Sequence, residues 1–306
     1  MADLVNQGII VGDMLCPANP VKLNEKYNDL LGLVSTGANS CVVLDGSPPR
    51  TEPDGSLIVN PCRRILGTYP GGTPLSPGDP QRREIIEEEI FNNGYNTNYA
   101  ASWFLVRGGL LLDANGNLTG PDGCPISNKE VTSTEGPLRR AILDVGTVAA
   151  THVPLLACAA AGDVKEAILS EPIGPHKQGE RLCESFTDGP VLKTTMRPPT
   201  FSSNTTYSGA QGWWAVWNKQ TLQDYRDFGA VHSGGAQSCN VLFADGSVRP
   251  IVDRNGDGML NNGFDPSQYE GEGVIGFQDA EVEIGRQDIY SRWSLTKASK
   301  GNLDTQ

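Results

Sequence analysis

Apolar and polar positions alternate over short spans, and no apolar stripe at helical spacing continues for long. Leu23, Tyr27, Leu30 and Leu31 follow Asn19-Pro20 at i, i+4, i+7 and i+8. Asn19 as cap, Pro20 in the first turn and Gly32 as stop predict a first helix there. A second is predicted after Asp79-Pro80, through QRREIIEEEIF to the stop Asn92-Asn93-Gly94. Tyr99 to Asp113 (YAASWFLVRGGLLLD) predicts one or two strands with a turn at Asn115-Gly116. Short helices are expected at Pro137–Leu143 and Val164–Leu169, a buried strand over Val153–Ala160 and a helix over Lys219–Phe228. The sharpest pattern is NVLFA, Asp245-Gly246, SVRPIV. Two apolar runs joined by Asp-Gly predict a β-hairpin closed by a primed turn, with glycine serving the positive φ.

Composition narrows this to a class. The chain of 306 residues is long enough to bury a core without metal or disulfide, and one domain over 1–306 is expected, with a loop-rich insertion at about 34–80. Thirty-six glycines and 21 prolines with 20% charged residues indicate many turns and short strands. The net charge of -12 argues against nucleic acid, whose phosphates need clustered cations. No apolar run is long enough to span a bilayer. Met1-Ala2-Asp3 begins in mid-pattern, so a hydrophobic helix is expected upstream in the native protein; a natural soluble N-terminus is the alternative.

Seven cysteines without a Cys-x-x-Cys pair argue against structural zinc and fit an oxidising compartment. A disulfide is expected within the stretch holding Cys41 and Cys62, where a loop of about 20 residues would contribute on the order of 3 kcal/mol. Cys158, inside LLACAA, reads as a small core residue.

The candidate chemistry lies around the hairpin. Asp253, Asn255 and Asp257 occupy positions 1, 3 and 5 of a D-x-N-x-D-G calcium loop. Gly258 falls at 6, the Met259 carbonyl at 7 and Asn261 at 9. Position 12 is Phe264 rather than Glu, and Asp265 comes one residue late. The expected ion is Ca²⁺, bound weakly; an Asx-rich surface turn is the competing reading. His232 and Asp245 with Ser233 or Ser185 could suggest acid–base chemistry, but no nucleophile elbow surrounds either serine. A structural hydrogen bond for His232, packed under the Asp-Gly turn, is the favoured reading. Trp213, Trp214 and Trp217 could form a platform for sugar or a partner. Trp213 and Trp217 share a helix face at i, i+4, which favours core packing. His152 and His176 offer no ligand spacing.

These same residues carry a family resemblance. A histidine, a glycine-rich spacer, an apolar strand and Ala244-Asp245-Gly246-Ser247-Val248 resemble the C-terminal signature of planctomycete prepilin-type proteins, a histidine, nine residues and Asp-Gly. Here the spacer Ser233 to Ala244 has twelve residues. Asp13-Met14-Leu15-Cys16-Pro17-Ala18-Asn19 is similar to the family's Cys-Pro-Ser-Asn segment, and Asn98-Tyr99-Ala100 to its Ser/Asn-Tyr-Ala strand. Val153–Leu156, Glu184–Gly189 and Leu222–Asp227 are similar to one subgroup. The resemblance implies an α+β, pilin- or pseudopilin-like domain: a mainly antiparallel sheet with long loops and a few short helices. It further implies a non-enzymatic, exported structural protein of a type IV pilus or type II secretion-like system, in the envelope, on the cell surface or outside the cell. Partners would be other pilin-like subunits or envelope components, and the membrane would be reached only through the upstream helix. A secreted hydrolase or carbohydrate-binding module is the alternative.

Overall fold

The computed structural model describes residues 14–32, 46–162, 167–202, 210–268 and 276–297. The chain divides into two compact units, Met1–Tyr99 with Ala161–Ser185, and Ala100–Ala160 with Phe186–Gln306. Each has its own apolar core. The class is α+β, with antiparallel strand pairing and short helices. Among the described residues no helix is long and apolar enough to cross a membrane.

In the first unit, Leu23, Tyr27 and Leu31 are buried as their spacing predicts, with Ile65, Ile85, Ile86 and Ile90. The helix α1 (Lys26–Gly32) begins later than Asn19-Pro20 suggests. Asn19 caps only its own turn, its Oδ1 accepting from Val21 N. Asn24 Oδ1 accepts from Lys26 N, while residue 24 bridges to Cys183 in extended form. A two-stranded ribbon, β1 (Arg50–Thr51) and β2 (Leu57–Ile58), precedes α2 (Pro61–Leu66). Asp79 caps α3 (Pro80–Glu84), accepting from Gln81 N at 2.9 Å, and the chain continues as a π-helix over Ile85–Phe91. Glu87 and Glu89 of the acidic run pair with Arg83 and Arg64. Half of the helix predicted over Val164–Leu169 lies outside the described residues, and the described half is extended, Ile168 bridging antiparallel to Arg181.

At the junction of the units YAASWFLVRGGLLLD departs from the strand reading. It forms β3 (Tyr99–Ala101), then α4 (Trp103–Arg107), capped by Ser102 Oγ accepting from Leu105 N. Leu110 and Leu112 make only isolated bridges. A serine able to cap, followed by bulky residues that reach the core, outweighs the apolar run's strand tendency. α5 (Arg140–Val145) lies near its predicted place, and β4 (Pro154–Cys158) falls within the predicted strand. β5 (Gly189–Leu192) follows. The helix expected over Lys219–Phe228 is not there. α6 (Ala210–Gln220) carries the tryptophans and stops where β6 (Thr221–Asp224) begins. β6 pairs with β5 in the register Gly189↔Asp224 through Leu192↔Thr221. Tertiary pairing overrides the local helical spacing.

The main sheet is built on β8 (Gln237–Phe243), which buries alternate residues Cys239, Val241 and Phe243. β9 (Val248–Val252) pairs along one edge, Ser238↔Val252 to Leu242↔Val248. β7 (His232–Ser233) and β4 lie end to end along the other, and β3 extends the sheet beyond β4. Pro250 is tolerated because β9 is an edge strand.

The β8–β9 turn differs in type from the expectation. The Gly246 N–H donates to the Phe243 carbonyl at 2.9 Å, and the Phe243 N–H to Ser247 O. Gly246 has φ +85°, whereas Asp245 does not have a positive φ. This is a common turn followed by a left-handed glycine, not a primed turn. Asp245 shapes it by accepting from Ser247 N at 3.0 Å and Ser247 Oγ at 2.7 Å. A Cβ at Gly246 would meet nothing within 4 Å, so the backbone alone opposes substitution. Gly246→Val is expected to cost more than about 1 kcal/mol in urea denaturation, because a β-branched residue disfavours that φ; an unchanged midpoint would reject this turn.

Cys16, Cys62, Cys158, Cys183 and Cys239 are thiols, while Cys124 is in a disulfide. Cys62 is a thiol, so the disulfide expected within the stretch holding Cys41 and Cys62 does not use it, and Cys41 lies outside the described residues.

Candidate functional site

The signature histidine stands where β7 and β4 meet along β8. His232 is opposite Ser238 in register, and Cys158 closes β4. This brings His232 Nε2 to 3.1 Å from Cys158 Sγ and 3.3 Å from Asn240 Nδ2. Cys158 is fully buried, as a core cysteine should be, but it is hydrogen-bonded as well. Hydrogen bonding from the Cys239 thiol, then from the Asn240 backbone and His232, lowers its pKa against the opposing effect of burial. Such contacts give the sulfur thiolate character. With the sulfur enclosed, the pair ties β4 to β7.

Asp245 lies at the other end of β8. Seven strand residues, roughly 20 Å at about 3.4 Å each, separate it from His232, so His232 does not pack under the Asp-Gly turn. Ser233 pairs with Gln237 and is exposed; the Ser185 hydroxyl donates to Glu25 Oε1 at 2.5 Å. The residues considered for acid–base chemistry are each committed locally.

β9 delivers the chain into the predicted cation loop. Asp253 is buried, its Oδ1 accepting from Gly256 N at 2.6 Å and Oδ2 from Gly258 N at 2.8 Å. Asn255 Oδ1 accepts from Asp257 N, and Asp257 Oδ1 from Met259 N at 2.8 Å. Asn261 is buried and caps the next turn, accepting from Gly263 N and Phe264 N. Asp265 is turned to Ser267 and Gln268 and does not join the loop. Phe264, where a calcium loop would carry its closing glutamate, is buried and stacks on Phe277 at 6.1 Å.

The carboxylate missing from position 12 has a counterpart that sequence reasoning passed over. Glu283 is buried, with Oε1 accepting from Arg254 N at 2.9 Å and Oε2 from Asn261 N at 2.9 Å. It clasps both ends of the loop. Burial, and then the charge of Asp253, push its pKa up, against the backbone N–H groups that hold the charged form. No local spacing marks Glu283, which sits 30 residues beyond Asp253 in an acidic, irregular stretch. Asp253, Asp257 and Glu283 do not gather into one tight cluster of three carboxylates. Each carboxylate oxygen that accepts one N–H keeps a further lone pair. The hard oxygens of Asp253, Asn255 and Asp257 and the Met259 carbonyl suit calcium.

The runs FTDG and LQDYRD come together through β5 and β6. Asp224, buried, accepts from Arg226 at 2.6 Å (Nη2) and 3.0 Å (Nε). Asp188 pairs with Lys129 and lies 3.9 Å from Arg226. Burial and the neighbouring Asp224 raise the Asp188 pKa. For Lys129 and Arg226, burial works against the charge, but the surrounding carboxylates outweigh it and raise both values. The network fixes the ribbon.

The tryptophans pack on the core of the second unit, with Trp213 and Trp214 only partly buried. Trp217 is fully buried and its Nε1 donates to Gly116 O at 2.9 Å. Trp293 packs against Trp217 at 5.7 Å and Trp214 at 5.4 Å, and Trp213 meets Trp214 at 5.5 Å. Trp213 also covers Gly116 so closely that a Cβ there would lie 2.4 Å from its ring.

Residues 127–258 match the family SBP_bac_10, described as a protein of unknown function (DUF1559). The match includes His232, the β8–β9 hairpin and the loop as far as Gly258. No curated protein and no solved structure matches the chain.

Proposed function

We propose that this is a non-enzymatic, exported structural protein of the pilin or pseudopilin kind, serving a type IV pilus or type II secretion-like system. Its partners would be like subunits or envelope components at the cell surface. The observation that supports this reading is the use made of the signature residues. His232 contacts Cys158 and Asn240 inside the sheet, and Asp245 accepts from Ser247 in the turn. A pattern that builds a hairpin is what an assembly domain requires. The test is the native reading frame and its product. An apolar helix of about 20 residues is expected ahead of Asp3, long enough to enter a bilayer, with the protein recovered in envelope or surface fractions. Recovery in the cytosol alone would overturn the reading.

Calcium would stabilise the same domain. Asp253, Asn255, Asp257 and the Met259 carbonyl would supply ligands, and Glu283 would hold the loop. Affinity should be weak, roughly 10⁻⁴ to 10⁻³ M as in extracellular modules. At about 100-fold excess over that constant, binding would add about 2.7 kcal/mol. Thermal unfolding in Ca²⁺, Mg²⁺ and chelator measures this. Ca²⁺ should raise Tm above both, and Asp253→Ala with Asp257→Ala should erase the difference. The raised Glu283 pKa gives the pH sign: protonation takes away a charge that would attract the ion, so the Ca²⁺ effect should shrink as pH falls through that raised value. Equal Tm in Ca²⁺ and chelator at neutral pH leaves the loop an Asx-rich turn.

A further inference from the structure

A cavity of about 210 Å³ opens in the second unit, beneath β6 and beside the segment 282–292. Lys193, Arg286 and Arg292 line it together with the apolar Leu222, Ile284 and Ile289. The chain as a whole carries 36 acidic against 24 basic residues, yet no carboxylate stands among the described residues lining this cavity. Three cations share one concave wall.

The contacts of the two arginines do not account for that placement. Arg292 is 8% exposed, and its Nη1 donates to the Asn218 carbonyl at 3.1 Å, a neutral acceptor. Arg286 makes no ion pair among the described residues, and its Nη1 is buried without a hydrogen-bond partner. A guanidinium has five N–H donors and no acceptor, so only an acceptor or an anion satisfies it. Burial and mutual repulsion act in the same direction. Lys193 is pushed down by burial, Arg292 and Arg286, and Arg292 by burial and Arg286. Asn262 lines the same cavity with the opposite need. Its Nδ2 is fixed by the Gln223 carbonyl at 2.7 Å, and its Oδ1 is buried without a donor.

We propose that this cavity binds a small oxyanion whose negative oxygens lie against Arg286, Arg292 and Lys193. The volume falls below the roughly 300–1,000 Å³ of pockets for drug-sized ligands, which limits the ligand to about one small ring or one inorganic ion. Arginines hold carboxylate and phosphate through paired N–H groups. Hydrogen phosphate and a sugar acid share the required chemistry. Leu222 and the exposed Val282 stand on the apolar side and suit the C–H face of a sugar ring, and this favours the sugar acid. The inference is independent of the calcium loop and of the assembly role.

The test is calorimetric titration of the whole chain at low salt with inorganic phosphate, glucuronate, acetate and glucose, with Tm measured in each. Phosphate or glucuronate should bind and raise Tm, and glucose should do neither. Binding by glucuronate with acetate at least tenfold weaker identifies a sugar acid; binding by phosphate alone identifies the inorganic ion. Arg286→Gln should weaken binding at least tenfold without lowering Tm in ligand-free buffer, because it removes a repelling charge that makes no ion pair among the described residues. Lys193→Gln supplies a second variant with the same expected loss of affinity. The proposal is overturned if neither phosphate nor glucuronate binds, if both variants bind as the unmutated chain does, or if Arg286→Gln lowers the ligand-free Tm.

Discussion

Trp217→Ala is expected to destabilise the protein by about 3–5 kcal/mol, the range for truncating a large buried aromatic. Trp217 is fully enclosed, packs on Trp293 and donates to the Gly116 carbonyl, so its loss leaves both a cavity and an unpaired acceptor. Trp214→Ala should cost less, because Trp214 is only partly buried and packs at the margin of the same cluster. Urea denaturation of the two variants distinguishes core from platform. Equal and small losses would mean that the tryptophans serve a surface.

The second large effect is at Asp224. Asp224→Ala removes the carboxylate that Arg226 grips through Nη2 and Nε, leaving a mostly buried guanidinium to the weaker pull of Asp227 and of Asp188 at 3.9 Å. Breaking a buried pair from one side costs about 3–5 kcal/mol. Asp188 should move the opposite way in pH. Its folded pKa is raised by burial and then by Asp224, so its contribution is most favourable below the usual carboxylate range, near about 4, and is lost as pH rises through the raised value. Removing Asp224 takes away part of that upward push. The stability gap between Asp224→Ala and the unmutated chain should therefore widen as pH falls from neutral towards that range. A loss under about 1 kcal/mol at neutral pH would show that Asp227 and Asp188 take over the arginine without penalty.

Much of the local architecture is legible in the residues. The Asp79-Pro80 helix start, the buried triad Leu23, Tyr27 and Leu31, and the apolar alternation of β8 each depend on neighbours a few positions away. So do the loop geometry of Asp253, Asn255 and Asp257 and the left-handed Gly246. Capping, spacing and positive φ are short-range effects, and short-range effects leave a readable pattern. Where two local signals compete, the reading fails. Trp103–Arg107 is apolar enough for a strand, but Ser102 caps it as a helix; Thr221–Asp224 continues a helical spacing, but β5 captures it as a strand.

By itself the sequence determined the short, turn-rich elements, the hairpin at Asp245-Gly246 and an oxygen-rich loop after it, because those follow from periodicity and turn chemistry. Tertiary structure alone decided three further matters. It placed His232 on Cys158 rather than near Asp245, since β4 and β7 abut on one edge of β8. It brought Glu283 back across 30 residues to close the Asp253 loop. And it set Lys193, Arg286 and Arg292 around one cavity, although nothing in their spacing joins them. The physical reason is common to all three: a charge or a hydrogen-bond donor acquires its partner by distance in space, and sequence separation carries no information about that distance once the chain has folded back on itself.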